Sequence, residues 1–257
     1  MRRLWLLLLV VVVVRAEPPA VSQAEPPVVS PVEPLRFASG ARQTALVELY
    51  TSEGCSSCPP AERWLARLND EPGLWHDFVP VAFHVNYWDN LGWPDRFASR
   101  QFTQRQYALA DSWGGGSVYT PCFVRDGAEW HPSSVPGASD KSAGLLAVSY
   151  APASGQCRVK FLRAERSPGG YDVYVALLGG GLSSSVTAGE NEGETLQHEF
   201  VALVLIDAPM QSDGAAATVE LMLPRLETKN SARRALAVWV TRRGELAALQ
   251  ATGGWVQ

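Results

Sequence analysis

Thr44-Ala45-Leu46-Val47-Glu48-Leu49-Tyr50, Thr51-Ser52-Glu53-Gly54, Cys55-Ser56-Ser57-Cys58-Pro59-Pro60 and then Ala61 to Leu68 form the run on which the fold expectation turns. The opening segment is apolar with β-branched and aromatic members, the composition of a short buried strand. Thr51 to Gly54 make a turn. Pro59 and Pro60 suit the first turn of a helix, where a missing N–H costs little. Trp64, Leu65 and Leu68 then recur at helical spacing, and Glu62 falls in the first turn. The order is strand, cysteine-bearing turn, helix.

Phe78 to Val85 reads as a second apolar strand, and Asp95 to Trp113 as a helix that stops at Gly114-Gly115-Gly116. Val118 to Arg125 is a third strand interrupted by Pro121, and Asp126-Gly127 is a hairpin turn into Ala128-Glu129-Trp130. Lys141 to Val148 is expected to be a short closing helix. The whole reads β-α-β-α-β-β-α. Beyond Pro152 the pattern changes to short strands at Gln156–Ala164, Tyr171–Leu178, Glu199–Asp207, Ala217–Leu223, Ala235–Arg242 and Glu245–Ala251, separated by Gly, Ser, Asn and Pro. That pattern predicts an antiparallel, sandwich-like all-β region.

Met1-Arg2-Arg3 followed by the apolar run Leu4 to Val14 and small residues near Ala16 has the order of a secretory signal peptide. The run is about half the ~20 residues a spanning helix needs; no membrane association is expected after cleavage, and an uncleaved signal anchor, favoured by Arg15 at the cut, is the alternative. Glu-Pro-Pro units in the stretch that follows favour extended, unpacked chain. The expected organisation is a signal peptide at 1–16, a Pro-rich linker at 17–40, an α/β domain at 41–150 and a β-rich C-terminal domain at 151–257. Lys+Arg number 22 against Asp+Glu 26, a net charge of -4, which offers no electrostatic grip on nucleic acid or an anionic membrane. Export places the chain in a periplasmic or secreted, oxidising setting where disulfides persist.

The Cys55-x-x-Cys58 pair admits three readings: half a zinc site, an inert disulfide, or a redox dithiol. Zinc needs a second pair or spaced histidines, and Cys122, Cys157, His84 and His131 do not supply them, so neither a metal nor another cofactor is expected. A small loop contributes little as a structural staple. At a helix N-terminus, unpaired N–H groups and the dipole favour the thiolate, which is the species that attacks disulfides. Cys55 is expected at the exposed mouth as the attacking thiol and Cys58 one turn inward as the resolving one, with Glu53 opposing the dipole. A Cys-x-x-Cys between a strand and a helix matches a thioredoxin-like motif. In such folds a proline like Pro121 is cis and packs against the cysteines, leaving the backbone at Thr120 to hold a peptide.

Several strings together resemble the DUF1223 family of exported thioredoxin-like proteins: Tyr50 to Ala61, Phe83-His84-Val85-Asn86-Tyr87-Trp88-Asp89, Leu91-Gly92-Trp93, Thr103-Gln104-Arg105-Gln106, Val118-Tyr119-Thr120-Pro121, Gly189-Glu190-Asn191-Glu192-Gly193 and Thr195-Leu196. They run in matching order from Ala45 towards the C-terminus. The resemblance implies an α/β thioredoxin-like fold and an export route, and says little about substrate.

If the first two strands are parallel neighbours, their C-terminal ends share one crevice with Cys55. His84 is then a candidate proton shuttle and Asp89 a candidate acid–base group for Cys58; a core histidine and a turn cap are the structural alternatives. Thr120, Pro121 and Trp88 are the expected substrate-binding residues; an ordinary edge-strand proline and core packing of Trp88 are the structural alternatives. Cys122 and Cys157 are the expected structural disulfide, with a free, exchange-competent Cys122 as the alternative. Gly189 to Gly193 reads as a solvated acidic loop. The leading function is thiol–disulfide exchange with exported protein thiols or disulfides and a redox partner. A Cu(I) module using Cys55, Cys58 and His84, and a non-catalytic binding domain, are the alternatives.

Overall fold

The structure, a computed structural model, describes residues 33–164, 168–225 and 232–256. The signal peptide and most of the Pro-rich stretch lie outside the described residues. The elements in chain order are β1 (Leu35–Ala38), β2 (Ala45–Thr51), α1 (Pro59–Ala66), β3 (Phe78–His84), α2 (Arg100–Ser112), β4 (Cys122–Arg125), β5 (Ala128–Glu129), β6 (Gly144–Ala151) and β7 (Gln156–Arg163). They continue with β8 (Tyr171–Gly180), β9 (Leu182–Ser185), β10 (Thr195–His198), β11 (Val201–Pro209), β12 (Gln211–Asp213), β13 (Ala216–Met222), β14 (Arg233–Arg242) and β15 (Ala248–Trp255).

The expected α/β thioredoxin-like domain followed by a separate β region is not what forms. Among the described residues the chain is mostly β, with only two α-helices, and β2 to β5 do not make a sheet of their own. They are one half of an eight-stranded mixed sheet of order β15-β14-β8-β11-β3-β2-β4-β5. The physical reason is the free edge of β3. Its main-chain groups need partners, and β11 supplies them in parallel, pairing Val201 with Ala82, while Ala82 N donates to Phe200 O at 2.8 Å. Local periodicity shows which face a residue takes, not which distant strand closes an edge. The described residues belong to one compact unit.

A second, five-stranded sheet of order β1-β6-β7-β13-β12 covers part of the first. Leu146, Val148, Val159 and Phe161 of this sheet share an apolar cluster with Val173, Val175, Leu236 and Val238 of the large one. The alternate residues of β8 and β14, among them Ala176, Leu178, Ala237 and Trp239, face a different cluster with Leu46, Leu49, Phe83 and Leu109. Strands buried on both faces read as continuous apolar runs, which these do. Two local expectations change. The helix expected at Lys141–Val148 is instead β6, because Leu146, Val148 and Tyr150 alternate at a spacing of two and bury one face. Residues 35–38, expected to be linker, form β1 along β6.

Two polar devices hold the layers in register. Glu48 lies fully buried in the middle of β2, and Arg105 of α2 grips it with Nε at 2.8 Å from Oε2 and Nη2 at 3.0 Å from Oε1. Tyr50 Oη donates to the same carboxylate at 2.8 Å. The guanidinium lies 5.0 Å over the Tyr174 ring and 5.3 Å over Trp239, so one fork ties α2 to β2, β8 and β14. Gln250, buried on β15, accepts from Thr44 N at 2.8 Å and donates to Gly144 O at 2.7 Å.

Candidate functional site

At the end of β2 the chain turns sharply, with Cys55 N donating to Ser52 O and Cys58 N to Cys55 O, both at 3.2 Å. Cys58 is the N-cap of α1, and its carbonyl accepts from Ala61 N at 2.9 Å and Glu62 N at 3.1 Å. Cys55 and Cys58 lie at disulfide distance, with Cα atoms 5.4 Å apart. Trp88, Thr120 and Pro121 gather beside them. Trp88 Nε1 donates to Thr120 Oγ1 at 2.8 Å, the Thr120–Pro121 peptide is cis, and Cys55 Sγ lies 3.9 Å from Thr120 O.

Cys55 is not exposed: both sulfur residues have 0% of their surface accessible. The cover is the tip of the β9–β10 hairpin, the Gly189–Gly193 stretch. Asn191 is buried and its Nδ2 donates to Glu53 O at 2.9 Å and Cys55 O at 3.0 Å. Glu190 Oε2 accepts from Ser56 N at 3.0 Å and from Ser56 Oγ at 2.7 Å. The loop expected to be solvated is therefore a strap across the cysteine turn. It passes so close to Trp93 that a Cβ on Gly189, whose φ is +81°, would lie 3.2 Å from that side chain.

Beneath the turn is a buried array of histidines and carboxylates. His84 does not pair with Asp89. Its Nδ1 is 2.6 Å from Asp95 Oδ2, which also accepts from Glu53 N at 2.8 Å, while Asp89 Oδ1 accepts from Asp95 N at 3.1 Å and so serves as a turn brace. His198, at the end of β10, places Nε2 3.1 Å from Glu53 Oε1 and Nδ1 against Glu62 Oε2. Glu62 Oε1 accepts from Thr51 Oγ1 at 2.6 Å, and Trp93 Nε1 donates to Glu53 Oε2 at 2.8 Å. Burial pushes the Glu53 carboxyl up, but hydrogen bonds from His198, Ser184 and Trp93 outweigh it and leave the group below its usual range. Burial likewise opposes ionisation of Asp95, and His84 with the Glu53 and Phe97 N–H groups reverses that. Burial works against the charged form of His198, yet Glu53 and Glu62 raise it to about 9. The carboxylate expected to oppose the dipole at Cys55 is thus engaged with His198 and Trp93.

Cys122 and Cys157 are both buried and unbonded, so the expected bridge between them is not made. Cys122 pairs with Tyr50 in the large sheet, while Cys157 lies in the small sheet opposite Leu221. They belong to different apolar clusters. Among the described residues, the grouping with metal-ligand spacing is Glu62, His84 and His198, which includes neither cysteine. The residues that sequence reading did not assign are Asp95, Asn191 and His198, with Glu62 noted only for its helix position. The available signal was a histidine at the end of an alternating strand segment, Thr195 to His198, far from Glu62 in the chain and beside it only in space.

The chain belongs to the family described as a protein of unknown function, DUF1223, whose model matches residues 46–241. No curated protein matches it. Two solved structures share the fold. The chain is similar to protein AGR_C_4864 from Agrobacterium tumefaciens, with 24% identity and a TM-score of 0.58 over 82% of this chain and 94% of that one. It is also similar to HBP35 of Porphyromonas gingivalis, with 14% identity and a TM-score of 0.55 over 84% of this chain and 76% of that one.

Proposed function

We propose that this protein is an exported thiol–disulfide oxidoreductase that exchanges electrons with exported protein thiols through Cys55 and Cys58. The observation that carries the reading is the cysteine pair at disulfide distance at the start of α1, beside the Trp88–Thr120 contact. In the oxidised form a substrate thiolate attacks the Cys55 sulfur, a mixed disulfide forms, and Cys58 leaves as thiolate. A second substrate thiolate then displaces Cys55. The substrate gains a disulfide, the pair is reduced by two electrons, and the substrate thiol protons are released. The reverse sequence reduces a substrate disulfide. Because Cys55 is covered, exchange requires the Asn191 strap to lift, which limits the reaction to partners that can displace it.

The test is equilibration of the protein against graded glutathione buffers, with acid-quenched thiol labelling read by mass spectrometry. A reversible two-electron transition at Cys55–Cys58 between about -300 and -120 mV, lost in Cys55→Ser, is expected. A pair that stays oxidised well below about -300 mV assigns the bond a purely structural role.

A further inference from the structure

Thiol–disulfide exchange at Cys55 and Cys58 makes no use of the histidine–carboxylate array beneath them. Glu62, His84 and His198 come from α1, β3 and β10, and one ligand atom from each lies within 4.8 Å of the other two. Their accessible surface is 8%, 0% and 1%. The second polar atom of each is tied to a separate partner: His84 Nδ1 to Asp95 at 2.6 Å, His198 Nε2 to Glu53 at 3.1 Å, and Glu62 Oε1 to Thr51 Oγ1 at 2.6 Å. A carboxylate behind each histidine is the arrangement that fixes the tautomer and orientation of a metal-bound imidazole.

An independent observation points to a ligand. His84 Nε2 is buried and has no hydrogen-bond partner. Its Nδ1 faces Asp95 at 2.6 Å, and Nε2 meets no partner among the described residues. Buried polar atoms are normally paired, so an orphan of this kind calls for an explanation such as an ion. Three carboxylates, those of Glu53, Glu62 and Asp95, surround two imidazoles here, an excess of negative charge that favours a cation.

We propose that Glu62, His84 and His198 form a binding site for a divalent first-row transition metal. Two imidazoles and one carboxylate are a donor set that suits zinc. Binding displaces the proton shared by His198 Nδ1 and Glu62 Oε2, draws those two atoms apart to admit the ion, and brings in His84 Nε2 as the third ligand. Asp95, Glu53 and Thr51 act as positioning residues. Three protein ligands leave a fourth position for water. The site stands whether or not the cysteines exchange electrons, because no sulfur takes part in it.

The test uses the full chain, chelator-treated and with Cys55–Cys58 oxidised, titrated with Zn²⁺ and with Co²⁺ by calorimetry and visible absorption. One ion per chain is expected, with cobalt ligand-field bands and without thiolate-to-cobalt charge-transfer bands. His84→Gln and Glu62→Gln are expected to abolish binding, and Asp95→Asn to weaken it by about 10–100-fold, in variants whose near-ultraviolet circular dichroism matches the parent. No stoichiometric binding by the parent chain overturns the proposal. So does a sulfur charge-transfer band, or undiminished binding in folded His84→Gln.

Discussion

Two parts of the large sheet bury their side chains by different means. Where β8 and β14 lie under the small sheet, the interior is aliphatic and aromatic: Val173, Val175, Leu236 and Val238 meet Leu146, Val159 and Phe161. Around β2, α1 and the start of α2, the interior holds Glu48, Glu53, Glu62, His84, Arg105 and His198, each of them buried. The first region is stable through area removed from water and tolerates any well-fitting apolar residue. The second depends on named partners, because a buried charge without its counterpart is costly. The cysteines follow this division only in part: Cys55 and Cys58 lie at disulfide distance in the polar region and Cys157 is unbonded in the apolar one, but Cys122, also unbonded, pairs with Tyr50 of β2.

The sharpest way to break that contrast is to remove one member from each region. Arg105→Ala strands the Glu48 carboxylate and is expected to lower stability by about 3–5 kcal/mol, measured by urea unfolding. Phe161→Ala, a fully buried ring, is expected to cost about 3–5 kcal/mol as a cavity. The regions separate in the rescue. Adding Glu48→Leu to Arg105→Met should recover most of the loss, since replacing a buried ion pair with apolar groups is often neutral or better by about 1–4 kcal/mol. A double variant no more stable than Arg105→Ala would show that the fork itself specifies the docking of α2.

A smaller effect is expected at the strap. Asn191→Ala removes two hydrogen bonds to the cysteine turn, each of which is ordinarily worth about 0.5–1.5 kcal/mol. Reduction of Cys55–Cys58 by dithiothreitol should quicken by about tenfold, as 1.4 kcal/mol corresponds to a factor of ten. An unchanged rate would mean that the strap does not control access.

The smallest effect concerns the unbonded thiols. Burial raises Cys122 to about 11, opposed by hydrogen bonding with Tyr119 and Gln106 and assisted by the charges of Glu129 and Glu48, and burial alone raises Cys157 to about 12. A thiol held above its usual value of 9.0 stabilises the fold fully below that pH, and the contribution is lost as pH rises through the folded value. Stability should therefore begin to fall above about pH 9, and the Cys122→Ala, Cys157→Ala variant should flatten that decline. Native-state alkylation of either thiol should be slow throughout the neutral range. Rapid labelling of Cys122 at pH 7 would place it in the exchange chemistry after all.

What the sequence legibly carried was local. The strand–turn–helix around Cys55, the second apolar strand at Phe78, the proline at 121 and most of the later strands could be read because their periodicity and turn residues act over a few positions. The family strings were legible too, and the match over residues 46–241 bears them out. Sequence pattern carries no such signal for pairing between distant segments. Nothing near Phe83 indicates that β11 completes its edge, and the alternation of Leu146, Val148 and Tyr150 is too short a signal to decide against a helix until β7 is beside it. The buried array is the extreme case. Glu53 and Glu62 are near neighbours in the chain, but His198 reaches them only because β11, following β10 directly, is paired with β3. Composition and spacing determined which residues wish to be buried. Only the tertiary structure decided which buried charges meet, because that depends on sheet order, and sheet order is settled by long-range edge pairing rather than by local preference.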